Sequence, residues 1–287
     1  MIDQNTRSLL LRFQKNEITE HYVYNRLARA VKDENKEVLQ HIARDEKSHY
    51  EMLKKYTEKD VKPGKITILK YIILAKIFGI TFAIKLMEKG EAFAQIAYNK
   101  VGGELDVMGV LMADEQKHEK ELINLIQEEK LDYMGSVVLG LNDALVELTG
   151  TLAGLSFALQ NSKLISLAGL ITGISASFSM AASEYLSKKH EGEDNAFKAS
   201  VYTGIAYIFT VLFLVFPFLV LADYHFSLAW SLINAIIIIF IFTYFNSVVK
   251  DLKFKKIFWE MFFISMGVAF VSFLVGSALK IWFNIDV

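Results

Sequence analysis

Hydrophobic and polar positions follow two different patterns along the chain. Over residues 1–133, apolar residues recur at steps of three and four, which predicts amphipathic helices over about 3–31, 34–57, 82–101 and 104–130. Five long apolar runs follow, at about 135–159, 164–187, 199–222, 227–249 and 257–282. Each run can cross roughly 30 Å of hydrocarbon as a helix. The pattern predicts an all-α protein of two domains, a four-helix bundle over 1–133 and a five-helix transmembrane domain over 134–287.

The distribution of charge supports the same division. Of the 63 Asp, Glu, Lys and Arg residues, 44 lie within residues 1–133. The formal net charge of −1 gives no indication of a nucleic-acid partner. The absence of cysteine excludes disulfides, thiolate metal sites and iron–sulfur clusters. Because the N-terminal residues are polar and charged, a cleavable signal peptide is not expected.

Acidic residues and histidines interrupt the inward-facing stripes of the four amphipathic helices near their middles. Two Glu-x-x-His pairs, Glu46 with His49 and Glu115 with His118, each project from one face of a helix. The other two helices supply four further candidates, namely Glu17, Glu20, Glu88 and Glu91. A carboxylate in a core is costly unless it is paired or binds a metal, and this combination is typical of a di-metal bundle. The alternative is that these residues form solvated faces of charged helices.

A long connection over 58–81 joins the two predicted helical hairpins. It is unusually apolar, but Lys65, Lys70 and Lys76 interrupt it, so it is a poor transmembrane span. The composition favours an interfacial helix that lies on the membrane or on the second domain. The alternative is a plain crossover helix packed on the bundle.

Over roughly residues 5–130 the chain resembles the rubrerythrin branch of the ferritin-like family, through the two Glu-x-x-His pairs and the glutamates of the first and third helices. The resemblance implies a ferritin-like bundle with a di-iron or di-manganese site. Carried over by position, its ligands are Glu17, Glu46, His49, Glu91, Glu115 and His118, with Glu20 and Glu88 as second choices. Rubrerythrins usually carry a cysteine-rich rubredoxin module. A chain without cysteine has none, which argues against peroxidase activity of that type.

Ionisable residues inside predicted spans are functional candidates by default. Asp143 and Glu147 lie four apart on the first span, and Met180 and Glu184 lie four apart on the second. Asp143 and Met180 are both about 10–12 Å deep on adjacent antiparallel helices, at about 1.5 Å per residue. Carboxylate and thioether together suit Fe(II) or Mn(II) better than Ca²⁺. The alternatives are packing or lipid contact for Met180 and a structural hydrogen bond for the acids.

Lysines are concentrated in two of the predicted loops. The loops over 188–198 and 250–256 carry seven lysines, whereas the loops on the opposite side carry only Lys163. Because positively charged loops remain in the cytosol, we expect the bundle to be cytosolic and the C-terminus to lie outside the cell.

The stretches VLGLNDALVELTGTLAGLSFAL and SASFSMAASEYLS are similar to the vacuolar iron transporter family, and the resemblance covers about 134–285. By position, Asp143 and Met180 match the metal-translocating residues of the family, with Glu147 and Glu184 nearby on the path. The resemblance implies a dimer that exchanges cytosolic Fe(II) or Mn(II) for protons. Plant-type members have a sizeable metal-binding insertion between spans two and three, where this chain has only KKHEGEDNAFK. The overall arrangement is similar to bacterial membrane-bound ferritin-like exporters.

These features predict a proton-coupled exporter of Fe(II) or Mn(II) in the cytoplasmic membrane, whose bundle captures or senses metal. A second hypothesis is a membrane-anchored di-iron oxidase or ferroxidase, which would need the bundle ligands but not Asp143 or Met180. A third is a metal sensor whose bundle only gates the membrane domain. The expected partners are the transported ions, protons, the lipid bilayer and a second copy of the chain.

Overall fold

The computed structural model describes residues 4–31, 33–101, 106–125 and 133–283, although the side chains at 91–101, 106–108 and a few other helical positions lie outside the description. The described residues form ten helices and no strand, which confirms the all-α fold class. The chain forms two compact units, Met1–Glu128 and Glu129–Val287. The helices are α1 (Gln4–Leu27), α2 (Asp33–Thr57), α3 (Lys65–Phe78), α4 (Ile80–Val101), α5 (Asp106–Leu125), α6 (Met134–Leu159), α7 (Ser162–His190), α8 (Ala196–Val220), α9 (Tyr224–Val249) and α10 (Phe254–Phe283).

Two apolar layers enclose a polar layer in the first unit. The smaller layer consists of Leu10, Phe13, Leu53 and Leu111. The larger one contains Val23, Tyr24, Leu27, Ala28, Leu39, Ile42, Ala43, Ile68, Ile84, Met87 and Leu122. Along α1, α2 and α5 these apolar positions lie on both sides of the central acidic residues. The acidic residues of three helices are therefore held at matching depth in the bundle.

The connection between the two hairpins folds as α3, which is followed directly by α4. Ile68 of α3 is buried in the larger apolar layer, with Tyr71, Ile72 and Ala75 packed around it. Gly79 separates the two helices with a φ of 94°, which only glycine adopts without strain. Its N–H donates to the Ala75 carbonyl at 3.0 Å and ends α3. One face of the connection is thus packed on the bundle, while the opposite face is exposed.

All five helices of the second unit are long and apolar enough to cross a membrane. The central helix is α6, which packs against each of the other four. The core around it includes Leu145, Leu148 and Leu152 of α6, together with Tyr207 and Val211 of α8. An arrangement with one central helix leaves the outer faces of the other four apolar and exposed, as expected for surfaces that contact lipid.

Pro217 lies inside α8, where its missing N–H leaves the carbonyl of Phe213 without its helical partner. Asn234 of α9 compensates, because its side-chain amide donates to that carbonyl at 2.9 Å. The hydroxyl of Ser231 donates to the adjacent Leu214 carbonyl at 2.8 Å. A proline in a membrane helix is tolerated when a neighbouring helix satisfies the freed backbone, and here α9 does so.

Small residues allow α6 and α10 to approach closely. A Cβ atom built on Gly276 of α10 would overlap the carbonyl oxygen of Gly154 on α6. A Cβ built on Gly150 would lie 2.9 Å from the hydroxyl of Ser272. The Gly150-x-x-x-Gly154 pattern is therefore a contact surface for α10, as small residues commonly are in membrane helices.

Replacing Gly276 by alanine is expected to lower the free energy of unfolding by about 1–3 kcal/mol, because the added methyl forces α6 and α10 apart. The matched control is Gly267→Ala on the same helix, where a Cβ would meet no atom within 4 Å. Thermal unfolding of the detergent-solubilised protein measures both. Equal melting temperatures for the two variants would contradict the packing described here.

Candidate metal centre and membrane groove

Three helices of the first unit bring acidic and histidine side chains into the polar layer. Glu17 comes from α1, Glu46 and His49 from α2, and Glu115 and His118 from α5; all five are buried. Potential ligand atoms of Glu17, Glu46, His49 and Glu115 lie within 4.8 Å of one another. Four of the eight predicted ligands thus lie together, and this buried cluster could bind a metal ion.

Glu46 and Glu115 each face both histidines. For Glu46, Oε1 lies 3.4 Å from Nδ1 of His118, and Oε2 lies 3.7 Å from Nδ1 of His49. For Glu115, Oε1 lies 3.5 Å from Nδ1 of His49, and Oε2 lies 3.8 Å from Nδ1 of His118. Glu17 adds a carboxylate oxygen 3.3 Å from Nδ1 of His49. Each of the two central carboxylates therefore presents one oxygen toward each histidine.

The polar atoms of the cluster fit a cation. Within the described residues, Nδ1 of His49, Nδ1 of His118, Oε2 of Glu46 and Oε2 of Glu115 are buried and make no hydrogen bond. Buried polar groups normally have hydrogen-bond partners, so neighbouring atoms that lack them are suited to a shared ligand. Imidazole nitrogen and carboxylate oxygen are donors that suit divalent first-row metals.

Two aspartates that the sequence interpretation missed orient the histidines. Nε2 of His49 lies 3.2 Å from Oδ2 of Asp114 on α5, and Nε2 of His118 lies 3.0 Å from Oδ2 of Asp45 on α2. An acceptor at Nε2 keeps the proton there and directs the Nδ1 lone pair toward the cluster. The signal was present in the sequence, because an aspartate immediately precedes the glutamate in both Glu-x-x-His pairs.

The remaining candidates of the first unit have different surroundings. Glu88 accepts a hydrogen bond of 2.7 Å from the Tyr24 hydroxyl. Burial raises the pKa of Glu88 to about 7, and the nearby carboxylates of Glu115 and Glu46 add to the rise. Glu20 lines a separate cavity beside Arg12. The side chain of Glu91 lies outside the described residues.

The carboxylates and histidines of the cluster shift one another's protonation. Burial by itself would lower the pKa of His118, but its contacts with Glu115 and Glu46 outweigh burial and raise that pKa to about 11. The pKa of His49 is raised for the same reason, mainly by Glu115 and Glu17. Although burial opposes it, the two histidines lower the pKa of Glu115 to about 2. Burial raises the pKa of Glu17. At neutral pH and without metal, each imidazole therefore carries a proton on Nδ1 as well as on Nε2, and a metal must displace the Nδ1 proton to bind there.

Loading of Mn(II), which is stable to air oxidation, is expected to release protons from the cluster. Because the raised pKa of His118, about 11, lies above neutral pH, its proton is present at pH 7 and is lost on binding. The apparent affinity should rise about tenfold per pH unit for each proton released. Calorimetry in buffers of different ionisation enthalpy measures the number of protons. A binding enthalpy that is independent of the buffer would contradict this expectation.

A groove of about 530 Å³ lies between α6 and α7 in the second unit. It is lined by Asp143, Glu147, Thr172, Ser175, Ala176, Ser179, Met180 and Ser183. The structure thus places two carboxylates, a thioether and several hydroxyls around one groove between two apolar helices. Asp143 is half-buried, whereas Glu147 is exposed. These groups can replace the hydration shell of a small cation.

Two hydrogen bonds that the sequence did not predict hold acidic residues of these helices. The hydroxyl of the fully buried Tyr207 donates to Oε2 of Glu147 at 2.5 Å. The hydroxyl of Ser136 donates to Oε1 of Glu184 at 2.5 Å, and Glu184 is buried one turn beyond Met180. Glu184 therefore contacts the first turn of α6 rather than projecting freely beside Met180.

One comparison with known families bears on this groove. Residues 134–196 match the model of the VIT family. The matched stretch contains α6, α7 and the loop that follows, and therefore all four acidic and methionine residues discussed above. The predicted vacuolar iron transporter resemblance is thereby confirmed for this segment. Together with the five membrane-length helices, it indicates a multi-pass membrane protein and suggests transport of metal ions.

No curated protein matches the chain. The family match ends before the rest of the membrane unit and does not extend to the first unit. The ferritin-like identity of the bundle therefore stays a prediction that rests on its own residues, above all on the buried Glu and His cluster.

Proposed function

We propose that the protein exports Fe(II), with Mn(II) as an alternative cargo, from the cytosol across the cytoplasmic membrane in exchange for protons. The observation that carries the proposal is the groove between α6 and α7, where Asp143 and Met180 lie together within the segment that matches the VIT family. Glu147 lines the same groove, and Glu184 follows on α7. These four residues would form the transfer path.

The carboxylates of the groove also support proton exchange. A cation that enters an apolar region needs compensating charge, which Asp143 and Glu147 supply. When the cation leaves, an ionised carboxylate in that environment is costly, so it takes up a proton. Export of a divalent metal is thereby coupled to entry of protons through the same side chains. The thioether of Met180 favours a borderline metal over Ca²⁺ and Mg²⁺.

The lysines support an orientation with the bundle in the cytosol. The exposed lysines lie at the end of α7 (Lys189), between α9 and α10 (Lys250 and Lys253) and in the first turn of α10 (Lys255 and Lys256). Helices that cross a membrane in alternation bring these positions to the same side as the start of α6. The proposal includes a homodimer, which is supported only by the resemblance of the first two spans.

For the bundle we propose a di-metal site of iron or manganese that captures or senses cytosolic metal. Glu46 and Glu115 would bridge the two positions, since each faces both histidines. Glu17 with His49 would complete one position, and Glu88 or Glu91 with His118 the other. If these residues held iron as Fe(II), the metal would supply electrons for the reduction of oxygen, and ferroxidase activity is therefore the second candidate function.

Flux of Fe(II) or Mn(II) into proteoliposomes with an imposed pH gradient tests the proposal. An acidic interior should drive metal uptake, with alkalinisation of the interior in the same vesicles. Collapse of the gradient with a protonophore should remove this acceleration. Folded, metal-loaded protein that shows no flux in either condition would overturn the exporter and leave the di-iron enzyme as the better account.

Replacement of Tyr207 by phenylalanine is expected to slow metal flux about tenfold. A tenfold change corresponds to about the free energy that one buried hydrogen bond contributes. The variant removes only the hydroxyl that donates to Glu147, so the carboxylate loses its fixed orientation in the groove. Initial rates of Mn(II) flux over a range of concentrations measure the effect. Tyr202→Phe on the same helix is the control, because its ring stacks on Tyr133 outside the groove. Equal rates for both variants would exclude a role for Tyr207 in positioning Glu147.

A further inference from the structure

The exposed face of α3 is an apolar stripe. Ile66, Leu69, Ile73 and Ile77 recur at steps of three and four along this helix, and they are 86%, 56%, 45% and 66% exposed. The opposite face, around Ile68, is already buried in the apolar layer of the bundle. α3 therefore has two apolar faces, of which only one is covered by the described part of the chain. A helix of a soluble domain normally presents a polar outer face, so this stripe needs a partner.

Positive charge accompanies the stripe. Lys62, Lys65, Lys70 and Lys76 are all exposed. No aspartate or glutamate occurs anywhere in residues 61–87. Apolar residues flanked by lysines, without any acid, are typical of helices that lie in the interface of a membrane.

We propose that this face of α3 docks on the anionic phospholipid headgroups of the bilayer that the chain itself crosses. The isoleucines and Leu69 would enter the boundary between headgroups and acyl chains, while the lysines extend along the surface to lipid phosphates. A tethered domain meets this surface at high effective concentration, so even weak docking is populated.

Charge argues against a second copy of the same face as the partner. A symmetric contact between two α3 helices would bring the lysines of one copy against those of the other. Like charges brought together across an interface are unfavourable, whereas lipid phosphates complement them. This docking does not depend on transport, so the two proposals can fail separately.

The test uses the full chain in lipid nanodiscs and takes advantage of its lack of cysteine. A Leu69→Cys variant carries an environment-sensitive fluorophore, and the acyl chains carry a spin-label quencher near the headgroups. We expect quenching about fivefold stronger in phosphatidylglycerol nanodiscs than in phosphatidylcholine nanodiscs, as anionic lipid attracts a basic interfacial helix. The control is Lys36→Cys on α2, an exposed position outside the stripe, which should remain weakly quenched in both.

A second variant keeps the proposal falsifiable. In the Leu69→Cys background, Lys65, Lys70 and Lys76 become glutamine, which removes charge from exposed positions without touching the core. We expect this variant to load Mn(II) like the parent and to lose most of the lipid-dependent quenching. Four outcomes would each overturn the proposal. The first two are equal quenching in both lipids and no quenching in either. The other two are an unchanged signal in the lysine variant and ready disulfide cross-linking of unlabelled Leu69→Cys between two copies.

Discussion

Asparagine in place of Asp143 should reduce metal flux by about two orders of magnitude. This factor corresponds to the roughly 3 kcal/mol that an uncompensated charge costs inside a membrane. The substitution keeps the size of the side chain and removes its negative charge. Asp143 is half-buried beside Met180, so a cation in the groove would lose the carboxylate that replaces its hydration. Protein folding should be unaffected, because a neutral side chain is easier to place in an apolar wall than a charged one.

Initial rates in the pH-gradient assay measure this effect, with protein incorporation checked in the same vesicles. The matched control is Asp194→Asn, which makes the same change at an exposed position in the loop between α7 and α8, outside the groove. Its flux should remain within about twofold of wild type, as expected for an exposed substitution. Wild-type flux in Asp143→Asn would mean that the groove is not the path, whatever the bundle does.

Alanine in place of Glu46 should prevent metal loading at both positions of the bundle, whereas alanine in place of Glu17 should affect one. Glu46 presents one oxygen to His49 and the other to His118, whereas the histidine that Glu17 faces at 3.3 Å is His49. We expect metal content to fall from about two ions per chain to near none in the first variant and to about one in the second. Loss of a direct ligand should weaken metal binding by at least about 10–100-fold, because mutation of residues that only orient the ligands already has an effect of that size.

Metal analysis after dialysis against a defined Mn(II) concentration measures the content. Glu51→Ala is the control, since this glutamate lies on α2 but is exposed. Full loading of Glu46→Ala would exclude the cluster as the metal site. Flux separates the possible roles of the bundle: capture predicts a loss only at low metal concentration, and gating predicts a loss at every concentration.

Periodicity and composition were sufficient for the broad architecture. Steps of three and four predicted the helices of the first unit, and the length of the apolar runs predicted the five membrane helices to within a few residues. The Glu-x-x-His pairs predicted which faces of α2 and α5 carry potential ligands, because residues three apart leave a helix on the same side. These are local properties, because they depend on the residues of one helix and not on the helices that pack against it.

Contacts between helices were decided by the tertiary structure. Glu17 and Glu20 share a face of α1, yet only Glu17 lies among the buried ligand atoms, since the depth and rotation of α1 set the distance to His49. The crosswise pairs of Asp45 with His118 and Asp114 with His49 also depend on how α2 meets α5.

The same holds in the membrane unit. The sequence placed Glu147 and Glu184 in apolar helices, but their partners, Tyr207 and Ser136, come from positions 60 and 48 residues away. Spacing along one helix determines the direction in which a side chain leaves it. Which group that side chain meets depends on packing between helices, where glycines such as Gly154 and Gly276 set the distance of approach.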